Sequence, residues 1–304
     1  MSNNTALTNL SCNSNPLLTA LDVSNNAALT RLECMDNSLT ALDLSSNTAL
    51  TYLNCYVNHL TSLDVSKNTA LTYLNCNVNS LATLNVNGAT ALTKLDCQRN
   101  QLTTLDVSSN TALTYLNCTN NQLTTLNVNG ASALTILYCT YNQLEILNIS
   151  SNTALKALWC LYNLLTTLDV SGATELISLD CFSNQLVSLD VNNNTALREL
   201  NCGFNQLATL DVSNNTALKE LYCSGNLLTT LDVSNNTALN ELWCPYNQLT
   251  ASALNDLFRT LPYAPETGAY IEIENNSGTT DCDVSIAQKK GWTVSVSQQF
   301  FQHT

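Results

Sequence analysis

Apolar residues recur along this chain in a pattern whose period is 21 residues. Between Leu50 and Ala70 the chain reads LTYLNCYVNHLTSLDVSKNTA, and nearly everything from Leu7 to Leu249 is a copy of that stretch. We number the repeat positions from one, at Leu50, to twenty-one, at Ala70. Leucine fills positions one, four, eleven and fourteen, and asparagine fills nine and nineteen. A repeat of this length predicts stacked coils that bury one core along their axis.

Cysteine marks the sixth position of the repeat. Eleven cysteines from Cys34 to Cys244 follow one another at intervals of 21 residues, and Cys12 precedes Cys34 by 22. We call the half of the repeat that carries them the Cys half, and the half with Asp or Asn at position fifteen the Asp half. Each of these cysteines stands two residues after an inward leucine, so we predict a ladder of twelve buried free thiols. Distance alone would also allow disulfides between coils about 4.8 Å apart, and Cys282 lies outside the ladder.

Both halves alternate apolar and polar residues as a β-strand does. In the Cys half, Leu53 and Cys55 are expected to point inward and Tyr52 and Asn54 outward. Because successive coils place such strands side by side, the sequence predicts two ladders of parallel strands, one along each side of the coil.

The asparagines at positions nine and nineteen are expected to bond backbone groups where the chain leaves each strand. Asparagine is present in all twelve Cys halves but in only eight of the eleven Asp halves. In the other three, alanine follows a glycine, which we expect to supply a turn conformation that other residues resist. These glycines are Gly88, Gly130 and Gly172.

The repeat pattern changes after Leu249. The spacing of Leu254, Leu257, Phe258 and Leu261 predicts an amphipathic helix that stops at Pro262. We then expect a strand through Ile271 and Ile273, a short helix over 283–290 and a last strand over 292–296.

These elements divide the chain into a solenoid over 1–249, a C-terminal cap over 250–296 and a tail over 297–304. The cap is expected to shield the edge of the last coil. Residues 2–7 match the end of a half-repeat, so we expect the natural protein to extend further toward its N-terminus.

The pattern LxxLxCxxNxLxxLDVSxNTA resembles the leucine-rich repeat family, specifically its irregular 21-residue class, which is common in bacterial surface proteins. The resemblance covers about four fifths of the chain. It implies a curved, right-handed solenoid of about twelve coils, mostly β although the family belongs to the α/β class. It also implies a secreted or cell-surface location and a role in binding, without specifying the partner.

Net charge narrows the range of partners. The chain has 304 residues and a net charge of −13, which argues against nucleic acid or an anionic membrane. No apolar run approaches the roughly 18 residues that span a bilayer.

The outward positions of the two halves differ in variability. Position fifteen is always Asp or Asn, whereas positions three, five, seven and eight of the Cys half take almost any residue. All 13 aromatic residues before the cap occupy those four positions, and none lies in the Asp half. Exposed Tyr and Trp are typical of binding hot spots. The predicted partner-binding residues are Tyr52, Tyr56, Tyr73, Tyr115, Ile136, Tyr138, Tyr141, Trp159, Leu161, Tyr162, Phe182, Phe204, Tyr222, Trp243, Tyr246, Glu199, Glu220 and Glu241.

Two regions of this surface stand out in the sequence. One is an apolar cluster expected from three neighbouring coils: Ile136, Tyr138, Tyr141, Ala157, Trp159, Leu161, Tyr162 and Phe182. The other is a column of like charges at Glu199, Glu220 and Glu241, which favours a cationic partner. Arg198 and Lys219 are near in sequence and could neutralise part of that column.

Two kinds of partner remain open. A protein ligand is favoured by the apolar residues Ile136 and Leu161, and a carbohydrate is the alternative because Tyr, Trp, Asn and Asp also suit sugar rings. The Asp halves offer too few ligands per coil for calcium. His59 and His303 are the only histidines, and no catalytic motif is present. We therefore expect neither enzymatic activity nor a cofactor.

Overall fold

The computed structural model describes residues 4–265 and 268–296, and the chain forms two compact units, Met1–Leu155 and Lys156–Thr304. Each unit is a solenoid segment whose coils stack through parallel strands. The predicted tail lies outside the described residues, and the division of the chain after residue 249 stays a prediction.

The strands are short and follow the repeats. The Cys-half strands of the first unit are β1 (Asn9–Ser11), β2 (Arg31–Glu33), β3 (Tyr52–Asn54), β5 (Tyr73–Asn75), β7 (Lys94–Asp96), β9 (Tyr115–Asn117) and β11 (Ile136–Tyr138). Its Asp-half strands are β4 (Ser62–Asp64), β6 (Thr83–Asn85), β8 (Thr104–Asp106) and β10 (Thr125–Asn127). The second unit contains β12 (Ala157–Trp159), β13 (Ser178–Asp180), β14 (Glu199–Asn201), β15 (Glu220–Tyr222), β16 (Glu241–Trp243), α1 (Ala251–Thr260), β17 (Ala269–Glu272), α2 (Ser285–Gln288) and β18 (Trp292–Ser295).

The Cys-half strands pair in register, so equal repeat positions lie side by side in neighbouring coils. Tyr52 pairs with Tyr73, for example. Backbone bonds continue past the strand, where Cys55 N donates to Asn75 O at 2.9 Å and Val57 N to Asn77 O at 3.1 Å. The predicted solenoid with a parallel ladder is therefore confirmed. The described part of the chain has fourteen strand-bearing turns rather than twelve, because β17 and β18 of the cap add one each.

The predicted second ladder is only partly present. Among the described residues, strands in the Asp half form two pairs, β4 with β6 and β8 with β10, both in the first unit. Among the described residues of the second unit, the Asp half contains no strand. The predicted second ladder is therefore confirmed only for these two pairs.

Both Asp-half pairs occur where an aspartate at position fifteen is followed by an asparagine in the next coil. The steps are Asp64 to Asn85 and Asp106 to Asn127, and no other neighbouring coils within either unit have this order. Asn127 Nδ2 donates to Asp106 Oδ1 at 3.1 Å. Where aspartate follows aspartate instead, two like charges face each other and disfavour pairing.

Glycine contributes to the same two pairs by allowing close approach. A Cβ at Gly88 would lie 1.7 Å from Ser66 O, and one at Gly130 would lie 1.7 Å from Ser108 O. Neither glycine has a positive φ. Our expectation of a special turn conformation at these two glycines is therefore wrong, and their role is to let one backbone contact the next.

The asparagine ladder of the Cys half forms as predicted. Asn58 Nδ2 donates to Cys34 O at 2.9 Å and to Cys55 O at 3.1 Å, and its Oδ1 accepts from Leu39 N at 3.0 Å. One side chain thus ties two coils together. In the Asp half, Asn68 Nδ2 donates to two carbonyls of the preceding coil, whereas its Oδ1 is buried and accepts no bond from the described residues.

Position eight bends the chain after each Cys-half strand. Its residue has a φ between 50° and 62° in every described repeat, including the β-branched Val57 and Val78. This left-handed conformation costs roughly 1–2 kcal/mol outside glycine. Asparagine bonds from the next position and inter-coil backbone bonds offset that cost.

The thiol ladder is free of disulfides, and eleven of its twelve cysteines are buried. Burial raises the pKa of Cys55 and of Cys139 to about 12. Cys12 departs from the prediction because it lies in the first coil and is only partly buried. Cys282, in the cap, is also partly buried.

The cap contains the elements that the sequence predicts. Helix α1 begins after Thr250, whose side chain accepts from Ala253 N at 3.2 Å, and it buries Leu254, Leu257 and Phe258. The indole of Trp292 is buried, and its Nε1 donates to Pro262 O at 2.8 Å. These contacts cover the apolar interior next to the last repeat.

Thiol labelling tests this burial. In native protein at pH 8.5 we expect a maleimide to label Cys12 and Cys282, because the other eleven thiols are buried and their protonated form is favoured. Denatured protein should take up thirteen labels. Peptide mapping that finds rapid native labelling at any of the buried eleven would contradict the arrangement.

Paired substitutions test the two asparagine ladders. Asn100→Ala should destabilise by about 2–4 kcal/mol, since it leaves Leu81 N without its acceptor and removes one of the two asparagine donors to each of the carbonyls of Cys76 and Cys97. Asn110→Ala should cost about half as much, because that side chain accepts no bond and alanine occurs naturally at the position. Urea midpoints of both variants provide the measurement, and equal losses would refute the distinction.

Candidate binding face

The four variable positions of the Cys half form one exposed surface in each unit, called the Cys face here. All 13 predicted aromatic residues lie on it. Six of them are exposed, seven are half-buried and none is fully buried. The opposite surface, formed by the outward positions of the Asp half, is called the Asp face and has no aromatic residue.

A column of basic and aromatic side chains runs along position three of the first unit. The Arg31 guanidinium lies 3.7 Å from the centroid of the Tyr52 ring. Tyr52 stacks on Tyr73 with centroids 4.5 Å apart and planes 4° apart. Lys94 Nζ follows, 5.6 Å from the Tyr73 centroid and 4.8 Å from the Tyr115 centroid. Each of these rings therefore contacts a ring or a cation along the column.

Sequence reasoning selects the tyrosines of this column but overlooks Arg31 and Lys94. Reading position three from coil to coil would have revealed them, because in-register pairing makes residues spaced by 21 into neighbours. Burial raises the pKa of Tyr73 and Tyr115, in both cases with a contribution from the nearby Asp96 carboxylate. The column is thus a packed surface and not a set of independent side chains.

The second unit has an aromatic run at positions seven and eight. Tyr162 and Phe182 meet edge to face with centroids 5.4 Å apart, and Phe182 and Phe204 lie 5.1 Å apart. Phe204 is half exposed. This run presents apolar ring surface to solvent, which is typical of contact sites.

Beside it lies an acid–aromatic strip, which consists of Glu199, Glu220, Glu241, Tyr222, Trp243 and Tyr270. Tyr222 Oη donates to Glu220 Oε2 at 3.0 Å, and Trp243 Nε1 donates to Glu241 Oε1 at 2.9 Å. The Trp243 ring lies 5.8 Å from Tyr222 and 5.9 Å from Tyr270. The aromatic donors therefore fix the carboxylates of Glu220 and Glu241 in place.

The glutamates of this strip have no basic partner. Among the described residues, the ion pairs are Arg31–Glu33, Lys156–Glu175 and Arg259–Asp256, so neither Arg198 nor Lys219 neutralises the column. Carboxylates about 4.8 Å apart repel by roughly 1 kcal/mol per pair in water. Burial and the charges of Glu241 and Glu220 raise the pKa of Tyr222, which keeps its hydroxyl protonated as a donor.

The predicted apolar cluster is divided between the units. Ile136, Tyr138 and Tyr141 belong to the first unit, where Tyr138 meets Tyr115 edge to face at 5.8 Å. Trp159 belongs to the second, is 41% exposed, and its Nε1 donates to Ser178 Oγ at 3.3 Å. Its role as a single binding centre stays a prediction.

One hydrogen bond recurs within every coil of the Asp face. In all eleven Asp halves the side-chain oxygen at position fifteen accepts from the backbone N–H two residues later, at 2.8–3.2 Å. Hydrogen bonds from the side chain and backbone of Ser171 lower the pKa of Asp169, and those from the backbone and side chain of Ser213 lower the pKa of Asp211. Within the described residues, no three His, Cys, Asp or Glu side chains converge as a possible metal site.

On the Cys face, by contrast, burial dominates the titration of two aspartates. Desolvation raises the pKa of Asp96 and of Asp180, although each accepts a backbone N–H two residues later. Side chains in adjacent coils cover them.

None of the described helices is both long and apolar enough to cross a bilayer.

Comparisons with known proteins identify similar structures. No protein-family model and no curated protein matches the chain. The functional domain of InlJ from Listeria monocytogenes, which includes a cysteine ladder, is 36% identical, with a TM-score of 0.67 over 90% of this chain and 70% of that one. The internalin InlF from the same species is 23% identical, with a TM-score of 0.79 over 98% and 89%.

A leucine-rich repeat protein from Leptospira interrogans is 21% identical, with a TM-score of 0.66 over 97% of this chain and 91% of that one. At such identities the second and third similarities show the fold alone. The InlJ domain also includes a cysteine ladder, so such a ladder is a property of more than one chain with this fold.

The opposite pKa shifts of the two faces predict opposite responses to pH. The lowered pKa of Asp211 means that its carboxylate stabilises the fold above about pH 4, and this stabilisation is lost as pH falls through the folded pKa. Asp211→Asn should therefore be less stable than the parent at pH 7, with a difference that shrinks as pH falls below about 4.

Asp180→Asn serves as the contrasting variant. Its raised pKa means that the charged form costs stability at pH 7, so the amide should be more stable there, and the gain should vanish at low pH. Urea midpoints between pH 3 and 7 measure both variants. Shifts of the same sign would contradict the assignment.

Proposed function

Because the chain belongs to the leucine-rich repeat family, we propose that it is a non-enzymatic module that binds a protein partner through its Cys face. A role in adhesion and a secreted or cell-surface location are parts of this proposal. Its partner-binding residues are the aromatic and glutamate side chains that the sequence analysis selects.

The observation that carries the proposal is the contrast between the two faces of one repeat. Both are exposed, yet 13 aromatic residues lie on the Cys face and none on the Asp face. A preference of strands for aromatics does not account for this, because β4, β6, β8 and β10 on the Asp face have none. Exposed aromatic rings contribute large contact areas to interfaces.

The packing of the rings favours protein over carbohydrate as the partner. A sugar ring stacks on an open aromatic face, but Tyr52 lies between Arg31 and Tyr73, and Tyr73 lies between Tyr52 and Lys94. The column offers ring edges and hydroxyls instead. In the second unit, the half-exposed Phe204 adds an apolar side chain without a polar tip.

The remaining classes have less support. The net charge of −13 opposes binding of nucleic acid phosphates. The abundant serines and aspartates of the Asp face already serve as turn partners, as in the bond from Ser171 N to Asp169 Oδ1 at 2.9 Å. His59, the histidine within the described residues, lies exposed at a turn position. Non-enzymatic binding is therefore the function that we propose.

A pair of substitutions in one coil tests the proposal. The partner is first captured from a cell-surface extract by cross-linking, and a glycan array is probed in parallel. Trp159→Ala should then weaken partner binding by about 2 kcal/mol or more, as loss of an aromatic anchor does. Its melting temperature should change little, because the side chain is 41% exposed.

The matched control is Asp169→Ala, at the exposed position fifteen of the same coil. It should leave binding unchanged even if it lowers stability through its lost turn bond. Equal loss of binding in both variants would refute a role for the Cys face. Binding to glycans alone would establish the carbohydrate alternative.

A further inference from the structure

The Cys face of the second unit is negatively charged along its length. Its four variable positions carry six carboxylates and no lysine or arginine. The carboxylates are Asp180, Glu199, Glu220, Glu241, Glu272 and Glu274. The first unit differs, because Arg31, Lys94 and Arg99 lie among its acidic residues there.

The end of the acid–aromatic strip contains an uncompensated pair of carboxylates. Glu272 pairs in register with Trp243 and is only 6% exposed, and its Oε2 accepts from Tyr270 Oη at 3.4 Å. Glu274 follows, and its Oε2 is buried without a hydrogen-bond partner among the described residues. Burial and the neighbouring Glu274 charge raise the pKa of Glu272. Burying such groups without a counter-charge is costly, so this end of the strip favours an incoming cation.

Aromatic rings lie directly beside these charges. Trp243 stands between Tyr222 and Tyr270, and its Nε1 occupies one oxygen of Glu241. Guanidinium and ammonium groups bind both carboxylates and aromatic faces, and arginine does so in preference to lysine.

From this geometry we propose that the acid–aromatic strip, with Glu272 and Glu274, binds a cationic peptide segment rich in arginine or lysine. The inference rests on the proposed function and specifies the chemistry of the partner in the second unit. The column of three glutamates spans roughly 10 Å across three strands, which matches a few residues of peptide. A metal ion fits less well, because it needs ligands that converge on one point, whereas these carboxylates are spread along the ladder.

Fluorescence polarisation with a defined probe tests this. The probe is a fluorescein-labelled decapeptide of alternating arginine and serine, compared with analogues in which glutamine or glutamate replaces every arginine. The full chain should bind the arginine peptide at least tenfold more tightly than the glutamine peptide and should not bind the glutamate peptide. The affinity should fall with added salt.

Matched charge removals locate the site. Glu220→Gln with Glu241→Gln should weaken binding of the arginine peptide at least tenfold. Asp211→Asn with Asp232→Asn removes the same charge from the Asp face of the coils that carry Glu199 and Glu220, and it should change the affinity for the arginine peptide less than twofold. The glutamine pair should not lower the melting temperature, because it relieves repulsion within the column.

Two results would overturn the inference. One is equal weakening by both double variants, which would mean that net charge alone attracts the probe. The other is failure of the arginine peptide to bind. Neither result affects the proposed function if Trp159→Ala still weakens binding of the captured partner, so the two proposals fail separately.

Discussion

In-register stacking of the Cys-half strands is the constraint on which the rest of this structure depends. The backbone of one coil bonds to the next at positions six and eight, as Cys55 N does to Asn75 O and Val57 N to Asn77 O. The Asn58 side chain then bonds two coils at once. Because these bonds fix the register, any residue at a given position touches its counterparts about 4.8 Å away. Residues at equal repeat positions therefore form columns, and these columns determine the properties of the surface.

Stacking equal repeat positions brings like side chains close together. Each column accommodates this proximity through different contacts. The tyrosines of the first unit accept cations between their rings, as Lys94 shows. In the glutamate column of the second unit, Glu220 and Glu241 accept hydrogen bonds from Tyr222 and Trp243. The aspartates of the Asp face turn their oxygens toward backbone N–H groups in their own coil. The glutamate column keeps the largest uncompensated charge, which is why a cationic ligand suits it.

The sequence predicts the elements that depend on periodicity and leaves out those that depend on contacts between unlike coils. The thiol ladder, the asparagine bonds of Asn58 and the cap helix all follow from spacing and residue type. The strand pairs of the Asp half do not, because they depend on a combination: an Asp-to-Asn step together with a glycine such as Gly88 that lets backbones touch. On the Cys face, the aromatic positions follow from the sequence. The Arg31 contact and the burial of Glu272 do not, because they depend on side-chain directions across coils.

The uniformity of the Asp face has a structural cause that strengthens the argument about the Cys face. Position fifteen accepts this turn bond in both units, with or without strand pairing, and Asp or Asn forms it more strongly than Ser or Thr. A side chain at position five of the Cys half can accept the same bond, as Asp180 Oδ1 does from Phe182 N. In the Cys half, however, the inter-coil backbone bonds at positions six and eight hold the strand in place whether or not the side chain at position five forms its bond. Trp159, Tyr222 and Trp243 can therefore replace Asp without loss of the turn. The inter-coil bonds permit variation on the Cys face, but they do not require that aromatic residues occupy it. The exposure of these aromatic residues supports binding as the explanation.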